Sequence, residues 1–207
     1  MSRIWDWRAK FYDVCEGSQL RRGPHKADLF RDMSGRVLFE AVGTGVDIRH
    51  FPPGRDITAI DISDEMLRRA RPRADRYHGR LDLARMDAQN LSFPDEYFDT
   101  VVTACTLCSI PDPHRALREI HRVLRPGGQL LMFEHVRSRN RILGLALDLM
   151  TIWTRWSGTE MNRDTLQAVQ ATGFRVNRVE SVFLDIILAI RAAKTENLGR
   201  PASAGKD

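Results

Sequence analysis

Long apolar runs are missing from this chain of 207 residues. The longest, around Ile142 to Trp153, is interrupted by Gly144, Asp148 and Thr151, which makes it too short and too polar for a membrane span. The opening MSRIWDWRAKFYD lacks the uninterrupted apolar stretch and small-residue cleavage site of a secretory signal, so a cytoplasmic location is expected. Cysteine is scarce and odd in number: Cys15, Cys105 and Cys108. The Cys105-x-x-Cys108 spacing suits a redox pair or half a zinc site, but no second pair or neighbouring His cluster completes it. Buried thiols at a strand end are expected, and no metal. Aromatic residues are not interleaved with the basic clusters and nothing resembles an RNA-binding module, so no nucleic-acid partner is expected. No internal repeat divides the chain.

What is present fits one folded domain. A composition of 43% hydrophobic and 29% charged residues is neither that of a disordered chain nor that of a membrane-spanning one. The length suffices for one α/β core. The net charge of +5 suits an anionic membrane, an acidic substrate or nucleic acid without choosing among them. Apolar, β-branched runs alternate with amphipathic stretches, the pattern of βαβ units and a mainly parallel sheet. Strands are expected at Arg36 to Ala41, Ile57 to Ile60, Leu81 to Arg85, Phe98 to Ala104, Gln129 to Glu134, Arg175 to Glu180 and Phe183 to Arg191. Helices are expected at Gly45 to His50, Asp64 to Arg71, Pro113 to Leu124 and Arg163 to Thr172, with Pro126-Gly127-Gly128 a sharp stop before the fifth strand. Residues 34–194 then form the folded unit. Residues 1–33 precede it, 138–160 form an apolar insertion on the acceptor side, and 195–207 read as a disordered tail.

The most informative stretch is Val37-Leu38-Phe39-Glu40-Ala41-Val42-Gly43-Thr44-Gly45, a strand running into a glycine turn. Glycines there let the backbone approach a ligand, although Gly-x-Gly also occurs in ordinary tight turns. Asp61 ends the next strand, where an acid meets the two hydroxyls of a ribose. It could instead cap the helix beginning near Asp64, but Ser63 can do that without it. A second acid, Asp87, follows the third strand. Counting Gly-x-Gly-x-x-Gly from Gly43 puts Ile48 at the third glycine, which disfavours a nicotinamide cofactor.

A glycine turn and two acids after three successive strands resemble the class I S-adenosylmethionine (SAM) dependent methyltransferases over about residues 36 to 136. Phe93-Pro94-Asp95-Glu96-Tyr97-Phe98-Asp99 and Arg118-Glu119-Ile120-His121-Arg122-Val123-Leu124-Arg125-Pro126-Gly127-Gly128 are similar to further segments of that family. The resemblance implies a Rossmann-like, seven-stranded, mainly parallel sheet flanked by helices, with an amphipathic helix in front. It implies SAM as cofactor and S-adenosylhomocysteine as product. Gly43, Thr44 and Gly45 would lie under the methionine part, Asp61 on the ribose, Asp87 and Ala88 beside the adenine, and Ile62 and Met66 against the purine. Tyr12-Asp13 resembles a pair placed over the cofactor. One departure stands out: aligned on Gly43 and Gly45, Phe39 takes the place of the usual acid and Ala41 that of the first glycine. Glu40, the candidate replacement, lies one position along and so on the other face of the strand.

Glu134-His135-Val136-Arg137 follows the fifth strand, at the sheet edge where ligands bind. His135 is the candidate general base, with Glu134 beside it and Tyr12 orienting the acceptor; a structural, hydrogen-bonded histidine is the alternative. Ile4, Trp7, Phe11 and Val14 share a helical face near Arg3, Arg8 and Lys10, which suits either a lid or an anionic membrane surface. The apolar insertion suits either a greasy acceptor or core packing. Within the family the chain looks closest to the UbiE-type branch and to bacterial phospholipid N-methyltransferases. That likeness implies a phospholipid amine such as phosphatidylethanolamine as acceptor, on the inner face of a membrane. A quinone precursor, a lipophilic thiol and a SAM-binding module without catalysis are the alternatives.

Overall fold

The computed structural model describes residues 5–7, 9, 19–154 and 158–195. Seven strands, β1 (Arg36–Glu40), β2 (Asp56–Asp61), β3 (Arg80–Arg85), β4 (Phe98–Ala104), β5 (Leu124–His135), β6 (Phe174–Phe183) and β7 (Ile187–Lys194), form one sheet in the order β3-β2-β1-β4-β5-β7-β6. Pairing is parallel from β3 to β5 and antiparallel at β5–β7 and β7–β6. The flanking helices are α1 (Gln19–Phe30), α2 (Asp64–Ala74), α3 (Pro113–Val123), α4 (Arg141–Thr154) and α5 (Thr165–Ala171). The α/β, Rossmann-like architecture expected of the sequence is therefore present.

The central strands are apolar on both faces because both are covered by helices. Alternation sends Leu38, Ile60, Val101 and Met132 into one core with Leu117 and Ile120 of α3 and Val169 of α5. Val37, Phe39, Val102 and Phe133 enter the other, with Leu29 and Phe30 of α1 and Leu67 and Ala70 of α2. Phe39 meets Phe30 edge-on at 5.6 Å and Phe51 at 4.9 Å between centroids. Truncating such a ring to Ala costs about 3–5 kcal/mol. The strand order reverses between β1 and β4, which opens a crevice at their carboxyl ends.

Helix starts are set by local chemistry. Ser63 Oγ accepts from Met66 N at 3.2 Å, and Asp64 and Glu65 face the positive end of α2. Asp112 caps α3 through Arg115 N at 2.9 Å, with Pro113 in the first turn. Asn140 Oδ1 accepts from Ile142 N and Leu143 N at the start of α4.

Several elements depart from the sequence expectation. The helix expected at Gly45 to His50 is a single 3₁₀ turn, Ile48–His50, because Gly43 and Gly45 hold φ of 58° and 80°, outside the right-handed helix region. The fifth strand begins at Leu124 rather than Gln129: α3 has already ended, and Pro126-Gly127-Gly128 bends the strand, with irregular pairing between Phe98 and Thr100. The last expected strand is split, Phe183 ending β6 and Ile187 opening β7. Helix α1 was hidden by Gly23 and Pro24, poor formers in a helix interior. It is fastened by Lys26, which is 3% exposed and donates to both Asp47 oxygens at 2.8 Å. Most of the amphipathic segment 2–14 and the tail from 196 lie outside the described residues, although residues 5–7 are helical.

Candidate active site

Where β1 ends, the chain turns through two left-handed residues, Ala41 at φ 52° and Gly43 at φ 58°. Ala41 thus keeps the backbone conformation that glycine favours, even though the side chain has changed. Asp61, at the end of β2 and 7% exposed, closes this turn: one carboxylate oxygen accepts from Gly43 N and the other from Ser63 N, both at 2.9 Å. Burial raises its pKa, and these backbone bonds oppose the rise. A carboxylate has about four lone-pair sites, so Asp61 retains capacity for hydroxyls in front of it. The helix cap is Ser63, as its side-chain bond to α2 shows.

Gly43, Asp61, Ile62, Met66, Asp87, Ala88 and His135 line a single cavity that opens to solvent. Asp87 is braced by Gln89, whose backbone N and Nε2 donate to Oδ1 at 2.9 and 3.1 Å. Thr44, Gly45, Glu40 and Glu134 are not among the lining residues. Gly45 is glycine for packing: a Cβ would lie 2.9 Å from Ile48 Cδ1 and 3.1 Å from the Ala70 backbone on α2. Thr44 is buried, and its carbonyl accepts from Arg73 Nη1 at 2.6 Å. Tyr12 lies outside the described residues.

Beneath the cavity sits a buried polar group. Glu40, Thr103 and Glu134 end or nearly end β1, β4 and β5 on one face of the sheet, Glu40 in register with Thr103 and Glu134 two residues beyond Met132, the partner of Thr103 on β5. Both Glu40 oxygens, Thr103 Oγ1 and Glu134 Oε2 are buried without a hydrogen-bond partner. Glu134 Oε1 accepts from Thr106 N at 3.0 Å and Leu107 N at 3.4 Å, clamping the loop after β4. Burial pushes the Glu134 carboxyl up to about 7 and holds Glu40 well above the usual carboxylate range, the neighbouring Glu134 adding to the latter. Burial thus favours the protonated form of Glu40.

The acceptor-side wall holds residues that the sequence did not single out as site residues. Cys105 and Thr106 line it, Cys105 at φ 55°, a second non-glycine in the left-handed region at the cavity edge. The Cys108 thiol is pushed up to about 12 by burial and stays protonated. Arg163 donates to the Leu107 carbonyl and, at 2.6 Å, to that of Ile110. Trp5 lines the cavity and Asp6 accepts from Ser63 Oγ at 2.5 Å, whereas Trp7 points away and is 65% exposed. Ile4, Phe11 and Val14, which share the Trp7 face in the sequence, lie outside the described residues. His135 sits opposite, its pKa lowered to about 4 by burial and then by the charges of Arg22 and Lys26. At neutral pH it is an uncharged imidazole.

The donor set fits SAM: a carboxylate set for hydroxyls, a glycine turn open to close approach, and apolar Ile62 and Met66 between two acids. Residues 40–132 match a family described as a methyltransferase domain. The chain is 41% identical over 134 residues to a phosphatidylethanolamine N-methyltransferase of Cereibacter sphaeroides, covering 64% of this chain and 63% of that one. It is 43% identical over 106 residues to the ubiquinone/menaquinone biosynthesis C-methyltransferase UbiE of Bordetella avium, covering 49% and 41%. The chain thus spans less than two thirds of the length of these curated relatives. In fold it is similar to a SAM-dependent methyltransferase of Thermotoga maritima, a possible histamine N-methyltransferase, at a TM-score of 0.68 and 20% identity, covering 94% of this chain and 100% of that one. By sequence, residues 40–132 are similar to a methyltransferase domain, and by architecture the chain has the fold of the class I, S-adenosylmethionine-dependent methyltransferases.

Proposed function

We propose that the protein transfers the methyl group of SAM to the amine of a phosphatidylethanolamine-type phospholipid. The observation that carries this reading is the 41% identity to a phosphatidylethanolamine N-methyltransferase over 134 residues. An apolar helix, α4, bracketed by cavity-lining His135 and Thr159, supports it. When bound, SAM presents a methyl group on a sulfonium, and an acceptor nitrogen displaces it in line, the bonding pair leaving with sulfur. Positioning then provides much of the rate. Asp61 would hold the ribose hydroxyls, Asp87 and Ala88 would border the adenine, and Asp61, by accepting from Gly43 N, would keep the glycine turn close to the ligand.

His135 is the residue facing the acceptor. A base with a pKa of about 4 is too weak to strip an ammonium with a pKa of about 10, so the amine loses that proton to solvent first. The neutral imidazole accepts a hydrogen bond from the amine and aims its lone pair at the methyl group. Tyr12 would help to orient the acceptor.

Incubation of purified protein with labelled SAM and lipid, quinone and thiol pools tests the assignment. Label in monomethyl-phosphatidylethanolamine is the expected result. Label in the quinone pool alone would favour the second reading, C-methylation of a quinone precursor, to which the Bordetella avium relative lends support. Tight S-adenosylhomocysteine binding with label in no pool would favour a binding module.

A further inference from the structure

The outward side of α4 carries an unusual surface. Ile142, Leu145, Leu149, Ile152 and Trp153 are all exposed, Ile142 and Trp153 at 83% and 82%. Their spacing of three and four places them in one stripe along the helix, directly opposite Gly144, Leu147 and Thr151, which face the protein and are buried. A helix whose solvent side is apolar has its amphipathic pattern turned outward, and a patch of this kind marks a binding surface rather than chance exposure. At its amino end, exposed Arg139 and Arg141 border the stripe. The β6–β7 hairpin adds exposed Phe183 and Leu184 there, because Asp185 accepts from Ser138 Oγ at 2.7 Å and from Arg139 N at 2.7 Å.

We infer that this stripe is the surface on which the protein docks on an anionic lipid bilayer, with α4 lying in the interface plane. Its 14 residues extend only about 21 Å, too short to cross the hydrocarbon core. Arginines beside the stripe and the net charge of +5 complement anionic headgroups, and a tryptophan at the far end suits the headgroup level. The helix is also continuous with the site: His135 precedes it and Thr159 and Met161 follow it, all three lining the cavity. A bilayer seated on α4 therefore lies beside the acceptor wall. The inference rests on the proposed phospholipid acceptor for its purpose, and on the stripe alone for its existence.

Vesicle flotation with the full chain separates the two. Wild type should bind vesicles containing phosphatidylglycerol, bind pure phosphatidylcholine less, and weaken with salt. The triple variant Ile142→Glu, Leu149→Glu, Trp153→Glu should bind at least about tenfold less, yet keep wild-type affinity for S-adenosylhomocysteine and methylate short-chain, monomeric phosphatidylethanolamine at the wild-type rate. Absent vesicle binding by wild type, or equal binding by folded variant and wild type, would overturn the docking surface even if short-chain lipid is methylated. Salt-sensitive binding that the triple variant loses, with no lipid methylated, would uphold the surface and overturn only the acceptor. A solution dimer dispersed by the triple variant, with no vesicle binding, would assign the stripe to a second copy.

Discussion

The two ends of the cavity are built differently. On the β1–β2 side, the carboxylate that lines the cavity is braced within the chain: Asp61 takes the backbone N–H groups of Gly43 and Ser63, and Ser63 caps α2. On the β4–β5 side, Glu134 has one oxygen bonded and one bare, Thr103 is unpartnered, and the following helix turns six large apolar side chains to solvent. Preorganisation suits a ligand of constant shape, which gains affinity when the site needs no ordering on arrival. The cost of buried, unpaired polar atoms is tolerated where function requires them.

Four substitutions sharpen this contrast. Asp61→Ala removes hydrogen bonds to a charged acceptor worth roughly 1.5–3 kcal/mol each and frees the Gly43 turn. Affinity for S-adenosylhomocysteine by titration calorimetry should fall about a thousandfold; an unchanged affinity would break the description of that side as the cofactor half.

Glu134→Gln probes the other side through pH. The Glu134 carboxyl is raised from 4.5 to about 7, so between those values the folded chain holds a proton that the unfolded chain has released. Wild-type stability from this group therefore declines as pH rises from about 4.5 to 7, and is fully lost above that. The variant should gain on wild type by about 3 kcal/mol between pH 4.5 and pH 8, read from denaturant midpoints. A constant difference across that range would show that Glu134 is ionised throughout.

His135→Ala should lower turnover by about a hundredfold, the usual penalty of misplacing a reacting group, with cofactor affinity intact. Because His135 is held near 4, the wild-type profile should show no break near pH 6.5. Such a break, absent from the variant, would restore His135 as a general base. The smallest effect is that of Ala41→Gly: relief of the left-handed backbone at φ 52° should stabilise the fold by about 1 kcal/mol. A loss of stability would mean that the Ala41 methyl contributes packing that outweighs the strain.

Much of this was legible in the residues. Alternating apolar runs dictate seven strands, because period-2 burial on two covered faces leaves a signature in composition alone. Asp61, Asp87 and the glycine turn announce a cofactor end, since the acids follow strands whose ends the topology must bring together. Less legible were the places where one residue serves a distant neighbour. Gly45 reads as a ligand-facing glycine but is needed against Ile48 and Ala70. Glu40 reads as a stand-in for the missing acid but is buried without a partner, one strand position away from its expected neighbours. Helix α1 is invisible behind Gly23 and Pro24, yet Lys26 anchors it to Asp47.

The sequence by itself determined the order of elements and the parallel sheet, and marked the glycine turn, Asp61 and Asp87 as candidates for one site, because these depend on periodicity and on residues at strand ends. Only the tertiary structure decided which face of each element meets what. Trp5 rather than Trp7 turns to the cavity, His135 loses its charge to burial and neighbouring cations, and α4 rests on its small side. Apolar spacing identifies two faces of a helix, but which face is covered depends on the neighbours it is packed against, and those are set by contacts far apart in sequence.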